Sequence, residues 1–154
     1  MLHFDGTVEN SYELITPNNY EVTLTAEWKE TKSTKKHFIN CAFTIRKDVE
    51  QDFQGRMVFD GIYESKKTGA LQTSKINGIL SAIPNAKQDF ESYDELIQYI
   101  SGRNMIVSID IEDADPQNPD SKDRNVIKYL SYAPTKHKTK LEAMNEVDAD
   151  ELPF

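Results

Sequence analysis

The chain has 154 residues, of which 38% are hydrophobic and 29% are charged. This composition predicts one globular domain with its own core. No run of about 18 apolar residues is present, so the sequence predicts no membrane-spanning helix. The first ten residues, MLHFDGTVEN, lack the basic and apolar regions of a signal peptide. Cys41 is the only cysteine, which excludes an intrachain disulfide and indicates a cytoplasmic protein.

The net charge of −8 is unevenly distributed along the chain. Residues 1–140 contain all 18 basic residues and 21 acidic ones, a net charge of −3. Residues 141–154 contain five acidic residues and no basic residue. A body this close to neutrality can present a basic face, so the total charge does not exclude a nucleic acid as partner.

Three strands are predicted in the first half of the chain. Apolar and polar residues alternate from Tyr20 to Trp28, and again in FINCAFTIR after the basic loop KETKSTKKH. RMVFDGIYE is the third strand, and its two faces are less clearly separated. Gly61 within it suggests a bulge or a close approach of another group to the backbone.

Helical spacing follows the third strand. TSKINGILSAIP has apolar residues at helical spacing and ends at a proline. In SYDELIQYISG, Ser92 and Glu95 predict a capping box and Gly102 predicts the end of the helix. NMIVSIDIE and NVIKYLSYA are the predicted fourth and fifth strands.

This order of elements predicts a mainly β fold. Five strands with helical segments between the third and fourth are typical of the OB-fold, a five-stranded Greek-key barrel, although other small β-rich domains share the order. Residues 1–133 are the predicted OB-fold domain. Apolar periodicity ends after Pro134, so residues 134–154 are predicted to be a flexible acidic tail.

The sequence contains none of the common catalytic or nucleotide-binding motifs, and it predicts neither enzymatic activity nor a cofactor. Its histidines are far apart and predict no metal site: His3, His37 and His137. The stretch DIEDADP leaves a metal-dependent nuclease as an alternative, with Asp110, Glu112 and Asp113 as its ligands. A solvated loop explains the same residues.

Binding of a single strand needs cations for the phosphates and flat side chains that stack on bases. Such residues occur on the loops and strands where an OB-fold binds oligonucleotides. The predicted single-stranded DNA (ssDNA) site comprises Trp28, Lys29, Lys32, Lys35, Lys36, Phe38, Arg46, Arg56, Phe59, Tyr63, Lys122 and Arg124. Trp28 also continues the apolar row of the first strand, so a place in the core is its alternative. A lysine-rich loop can equally be a solvated surface.

The chain ends in EVDADELPF. A solubilising tail explains the acidic residues but not the apolar residues behind them. A terminal phenylalanine with its free carboxylate would fit a pocket with a cation at its rim. The predicted partner-binding residues are Asp148, Asp150, Glu151, Leu152, Pro153 and Phe154.

Two resemblances extend this interpretation. DADELPF resembles the acidic C-terminal tip of bacterial and phage single-stranded-DNA-binding proteins (SSBs), although Ala149 interrupts the acidic run and Leu152 replaces the usual isoleucine. YEVTLTAEWKETKS, FTIRKDV, GRMVFDGIY and KINGILSAIP resemble a family of small phage-encoded proteins, formerly a domain of unknown function and since linked to ssDNA binding. The resemblance covers roughly residues 20–133 and the tip.

The resemblance implies an OB-fold protein that coats ssDNA in phage replication or recombination, in the host cytoplasm. Its tip would recruit replication and recombination proteins, and it could form a homo-oligomer. The alternative from a different class is a protein–protein interaction module with no nucleic-acid role.

Overall fold

The computed structural model describes residues 2–3, 13–32, 35–64 and 69–143. The described residues form six strands and two complete helices, in chain order β1 Asn18–Glu30, β2 His37–Ile45, β3 Met57–Ile62, α1 Thr73–Ser81, α2 Tyr93–Ile100, β4 Asn104–Glu112, β5 Arg124–Ile127 and β6 Ala133–Pro134. A further helical segment begins at Lys140. The predictions of a mainly β fold and of helices between the third and fourth strands are confirmed.

The strands form one antiparallel sheet in the order β3-β2-β1-β4-β5, with β6 paired to β4. The sheet curls so that Cα atoms of β3 and β5 come within 8 Å of each other. In the described part of the chain no ladder joins these two strands, so the sheet is not closed.

The segment 13–16 lies between the two edges of this sheet. The Arg56 guanidinium donates to the Glu13 carbonyl oxygen (2.9 Å), and Asn125 exchanges two hydrogen bonds with the Ile15 backbone (both 2.9 Å). Ile15 is only 1% exposed. Residues before β1 therefore fill the gap that strand pairing leaves open.

Alternation along the strands builds the core. One face of each long strand is buried, with Val22, Leu24 and Ala26 on β1, Ile39, Cys41, Phe43 and Ile45 on β2, and Met105, Val107 and Ile109 on β4. Full burial of such a side chain contributes about 1.5–3 kcal/mol. The two helices add Ile79, Leu96, Ile97 and Ile100 to the same core.

The predicted limits of α2 are confirmed. The Ser92 hydroxyl accepts a hydrogen bond from the Glu95 backbone N–H (3.2 Å), and Gly102 follows the helix with φ +87°. The Glu95 carboxylate caps the backbone N–H of Glu91 (2.9 Å), one residue earlier than a capping box requires. Neither helix, and no other helix in the described ranges, is long and apolar enough to cross a membrane.

The prediction of one fifth strand over 125–133 is wrong in its second half. Pairing with β4 stops at Ile127 and resumes only at Ala133. Leu130 takes a positive φ of 54°, and Tyr132 turns inward and stacks on Phe43, with ring centroids 6.0 Å apart. Burial raises the pKa of the Tyr132 phenol. Burying this ring competes with strand pairing and interrupts the ladder.

Gly61 is not a bulge. Pairing between β2 and β3 is continuous from Ile39↔Ile62 to Thr44↔Met57. The other half of the prediction, a close approach, is confirmed: a Cβ atom at Gly61 would lie 2.5 Å from the Tyr63 ring. Glycine is therefore present because a side chain crosses the strand there.

The packed part of the chain extends beyond the predicted boundary between residues 133 and 134. That boundary falls inside β6, and Thr135 is buried among charged groups. Its hydroxyl donates to the Glu21 carboxylate and accepts from the Arg46 guanidinium (3.1 Å). Arg46 also binds the His137 carbonyl oxygen (2.7 Å). This polar cluster attaches the C-terminal segment to β1 and β2.

Within the described part of the chain, the Arg46 guanidinium donates four hydrogen bonds, two of them to Asp48. It forms a bidentate pair with Asp48 (2.9 and 2.6 Å) and lies 3.7 Å from the Glu21 carboxylate. The pairing raises the pKa of Arg46 and lowers that of Asp48. Replacing Arg46 would leave the buried Glu21 carboxylate without its cation, which is costly.

We therefore expect Arg46→Ala to lower the free energy of unfolding by about 3–5 kcal/mol, as is usual when one partner of a buried pair is removed. Urea denaturation measures this change. The control is Arg124→Ala, which removes the exposed pair with Glu112 (3.2 Å) and should cost less than about 1 kcal/mol. Equal losses in the two variants would contradict a structural role specific to Arg46.

Candidate nucleic-acid interface

The outer face of β2 and β3 carries a cluster of apolar side chains. Side chains alternate between the two sides of a strand, so residues next to the buried ones point outward. The β2–β3 register pairs Ala42 with Phe59, Asn40 with Gly61, and Thr44 with Met57. Phe38 and Tyr63 follow at the end of this outer row. We call Phe38, Met57, Phe59 and Tyr63 the platform.

Phe38 and Tyr63 stack face to face. Their ring centroids are 4.9 Å apart and their planes differ by 19°. The Tyr63 ring lies across Gly61, the residue whose missing side chain makes room for it. The sequence therefore fixes a flat aromatic surface at one end of the platform.

The rest of the platform faces solvent. Phe59 is 55% exposed, Met57 51% and Tyr63 47%, whereas Phe38 is half-buried. Phe59 stands opposite Ala42, which is too small to cover it. Contiguous apolar side chains of this kind mark a binding surface more often than isolated ones do.

Cations lie beside the stacked end of the platform. Lys29 is paired in register with Phe38 and lies 3.4 Å from the Glu27 carboxylate. Lys32, Lys35 and Lys36 are exposed in the connection between β1 and β2. Hydrogen bonds from Thr31 N to the Lys36 carbonyl (2.9 Å) and from Lys35 N to the Thr31 carbonyl (3.0 Å) hold this turn. The turn therefore joins β1 and β2 at the end of the hairpin where Phe38 and Lys29 are paired.

Trp28 lies on the other side of the hairpin. It continues the inward row of β1 and packs against the core while remaining partly exposed. Its indole N–H donates to the Asp94 carboxylate of α2 (2.6 Å). Trp28 is therefore not part of the platform, and its alternative assignment to the core side is the better description.

The predicted arginines contact other parts of the protein. Arg46 is 5% exposed and engaged in the buried cluster, so the prediction that it contacts a ligand is wrong. Arg56 holds the segment before β1 and lies over the Phe53 ring at 5.8 Å. Arg124 pairs with Glu112 across β4 and β5. Lys122 is exposed in the loop between those strands.

Sequence reasoning missed Met57 and Ala42, although a usable signal was present. Val58 and Ile62 are separated by four residues, which places both on one face of a strand, and both are buried. Met57, Phe59 and Gly61 must then share the other face. Because β3 has apolar residues on both faces, its sequence does not show the usual alternation of apolar and polar residues.

Metal chemistry gains no support from the described residues. Among these residues, which include Asp110, Glu112 and Asp113, no three His, Cys, Asp or Glu side chains are grouped so that they could hold an ion. The predicted partner-binding residues, Asp148 to Phe154, lie outside the described residues.

Residues 3–146 match the model of the family described as "Protein of unknown function (DUF669)". The match covers nearly the whole chain, so the protein belongs to this family. No curated protein matches the chain.

The contact between Gly61 and Tyr63 can be measured by a double-mutant cycle. In a Tyr63→Ala background, Gly61→Ala should stabilise the protein by about 0.5–1 kcal/mol because alanine loses less backbone entropy than glycine. In the unaltered protein the same substitution pushes the ring off Phe38, and this gain should be lost. Urea denaturation of the four proteins gives the coupling energy, and a coupling of zero would mean that Tyr63 does not lie across Gly61 in solution.

Proposed function

We propose that this DUF669 member is a sequence-independent ssDNA-binding protein without enzymatic activity, which coats single strands during phage replication or recombination in the host cytoplasm. The platform is the observation that carries the proposal. Exposed aromatic rings on the outer face of two neighbouring strands suit stacking on unpaired bases, and every base has a face that can stack. Duplex DNA hides its base faces and would not bind there in the same way.

The position of the lysines supports the same ligand. Stacked bases leave their phosphates at the sides of the platform, and Lys29, Lys32, Lys35 and Lys36 lie at one side. Neutralising phosphates releases counterions, which makes such binding weaken steeply as salt is added. The overall charge of −8 does not oppose this arrangement, because the local charge of the turn is positive.

We assign the fold to the OB class within this proposal. The order β3-β2-β1-β4-β5, the approach of β3 to β5 and the helices between β3 and β4 are what an open OB barrel would have. OB-folds bind oligonucleotides on the face of their second and third strands. In this assignment the platform, on the outer side of β2 and β3, would occupy that face.

The C-terminal residues have two roles in this proposal. The tip, Asp148 to Phe154, would recruit replication and recombination proteins through its terminal Phe154 and its carboxylates. The same acidic segment would compete with DNA for the lysines. Glu142 accepts a hydrogen bond from Asn104 (2.5 Å), which accepts one from Thr23 (2.5 Å).

The hydrogen bond between Asn104 and Glu142 fixes the point from which the acidic residues 144–154 continue. Thr23 is paired with Thr44, and Thr44 with Met57 of the platform. Thr23 on β1 and Met57 on β3 are therefore separated by two strand spacings of about 4.8 Å each. An extended chain spans about 3.3–3.6 Å per residue, so residues 144–154 are long enough to cover the platform.

Replacing platform aromatics tests the stacking. We expect Phe59→Ala and Tyr63→Ala each to weaken binding of oligo-dT by about 1–3 kcal/mol, measured by fluorescence anisotropy. Tyr129→Ala is the matched control, because Tyr129 is 63% exposed and lies off the platform. An unchanged affinity in both platform variants would favour the protein–protein module. Cleavage of ssDNA that depends on magnesium would favour the nuclease.

Charge removal tests the phosphate contacts separately. Lys35→Gln with Lys36→Gln should weaken binding and lower the slope of log K against log salt by about 1–2, because each phosphate contact contributes a little under one unit. The control is Lys128→Gln with Lys140→Gln, which changes the net charge equally on other exposed residues. Equal slopes in the two double variants would contradict a local role of the turn.

Truncation after Ala143 tests the competition. This variant keeps Glu142 and its contact with Asn104, while it removes Glu146, Asp148, Asp150 and Glu151. Oligo-dT should bind more tightly, most clearly at low salt where charges are least screened. Removal of Phe154 alone should leave DNA affinity unchanged and weaken capture of partner proteins. Equal DNA affinity of the truncated and full chains at low salt would show that the segment does not compete.

A further inference from the structure

A cleft of about 510 Å³ lies on the other side of the hairpin from the platform. It is lined by Trp28, His37, Glu64, Gly69, Leu71 and Tyr93. His37 and Glu64 of the cleft are the chain neighbours of Phe38 and Tyr63 of the platform, so the same two chain segments contribute to both surfaces. A strand that leaves the platform at the Phe38–Tyr63 stack reaches the edge of the sheet beside this cleft.

Aromatic rings form much of the cleft. Trp28 stands nearly perpendicular to His37, with centroids 6.1 Å apart, and to Tyr93, with centroids 5.8 Å apart. The hydrogen bond to Asp94 fixes the indole ring. A flat ligand therefore meets a surface that is already ordered, and little side-chain entropy is lost when it binds.

The acidic residues at the cleft determine which part of a ligand can enter it. The Glu64 carboxylate lines the cleft and the Asp94 carboxylate accepts from the indole N–H of Trp28, so a phosphate would be repelled inside the cleft. Lys32, Lys35 and Lys36 lie outside, in the turn that ends at His37. The ligand should thus be flat and carry N–H donors at one end and negative charge at the other. A nucleotide whose base has an exocyclic amino group meets these requirements, because a glutamate accepts from the N4 amino group of cytosine.

We infer that the cleft lined by Trp28, His37, Tyr93 and Glu64 binds one base of the bound strand and prefers bases with an exocyclic amino group. This inference rests on the proposed ssDNA binding and adds to it a base preference that the platform lacks. Glu64 accepts the amino group, and the aromatic rings contact the base. Thymine has a carbonyl oxygen at the equivalent position and faces the carboxylate unfavourably.

Trp28 is the only tryptophan, so fluorescence excited at wavelengths that tyrosine does not absorb reports on the cleft alone. Oligo-dC and oligo-dT of equal length are the probes, because both are pyrimidine strands that differ at this group. Oligo-dC should quench Trp28 and bind roughly fivefold to tenfold more tightly than oligo-dT, as expected for one good contact to a base edge. Tyr93→Ala should reduce both the quenching and the preference.

Glu64→Gln should bring the dC-to-dT affinity ratio close to one, because an amide can pair with either base. Glu91→Gln is the matched control: Glu91 is exposed and does not line the cleft, and its replacement removes the same charge. That control should change both affinities by the same factor and so preserve their ratio. A ratio that changes equally in the two variants would overturn the inference.

These measurements can disprove the inference about the cleft and the proposed function of the platform independently. One outcome would overturn only the inference about the cleft. In that outcome, anisotropy shows that oligo-dT binds and that its binding depends on Phe59, but oligo-dT and oligo-dC quench Trp28 equally. Absence of binding by either strand overturns the proposed function. Quenching by an arginine-rich peptide but by neither oligonucleotide would identify a cationic ligand and would also overturn the inference.

Discussion

The register between β2 and β3 is the constraint on which the rest of the structure depends. Pairing of Ile39 with Ile62 and of Phe43 with Val58 places these four side chains in the core. The same pairing sends Phe59 outward. A slip of one residue would bury Phe59 and expose Val58, since side chains alternate with a period of two. Core and platform are therefore two consequences of one alignment.

A second constraint is the buried cluster of Glu21, Arg46 and Thr135, which limits how far the exposed part of the outer sheet face extends. Arg46 follows Thr44 on the outer row, but the segment after β6 covers it and supplies its partners. The platform ends where this cover begins. The same segment also brings Glu142 to Asn104 at the start of β4 and so determines where the acidic C-terminal residues start.

The two sides of the β1–β2 hairpin have different chemistry. The outer side has an apolar platform with lysines beside it, which suits stacking without selection among bases. The inner side has an ordered cleft with a carboxylate, which suits selection by hydrogen bonding. Because His37 and Phe38 are neighbours in the chain, one short segment serves both sides, and the proposed strand could contact both without a large movement of the protein.

The sequence by itself determined most of the strands and helices and part of the platform. Alternation in β1, β2 and β4, helical spacing in α1 and α2, and the end of α2 at Gly102 are local patterns, and each follows from backbone geometry. Alternation selects Phe38 on β2, whereas Phe59 and Tyr63 could be predicted only as aromatic residues of a third strand whose two faces are not clearly separated in the sequence.

Only the tertiary structure decided the roles of Arg46, Trp28 and Tyr132. Arg46 follows the outer row of β2 like a ligand-binding cation, yet residues 89 and 91 positions away bury it. Trp28 is held by Asp94, 66 positions away, and Tyr132 leaves its strand to stack on Phe43. The physical reason is common to all three: their partners are distant in sequence, and burial or a hydrogen bond with a distant group outweighs the local pattern.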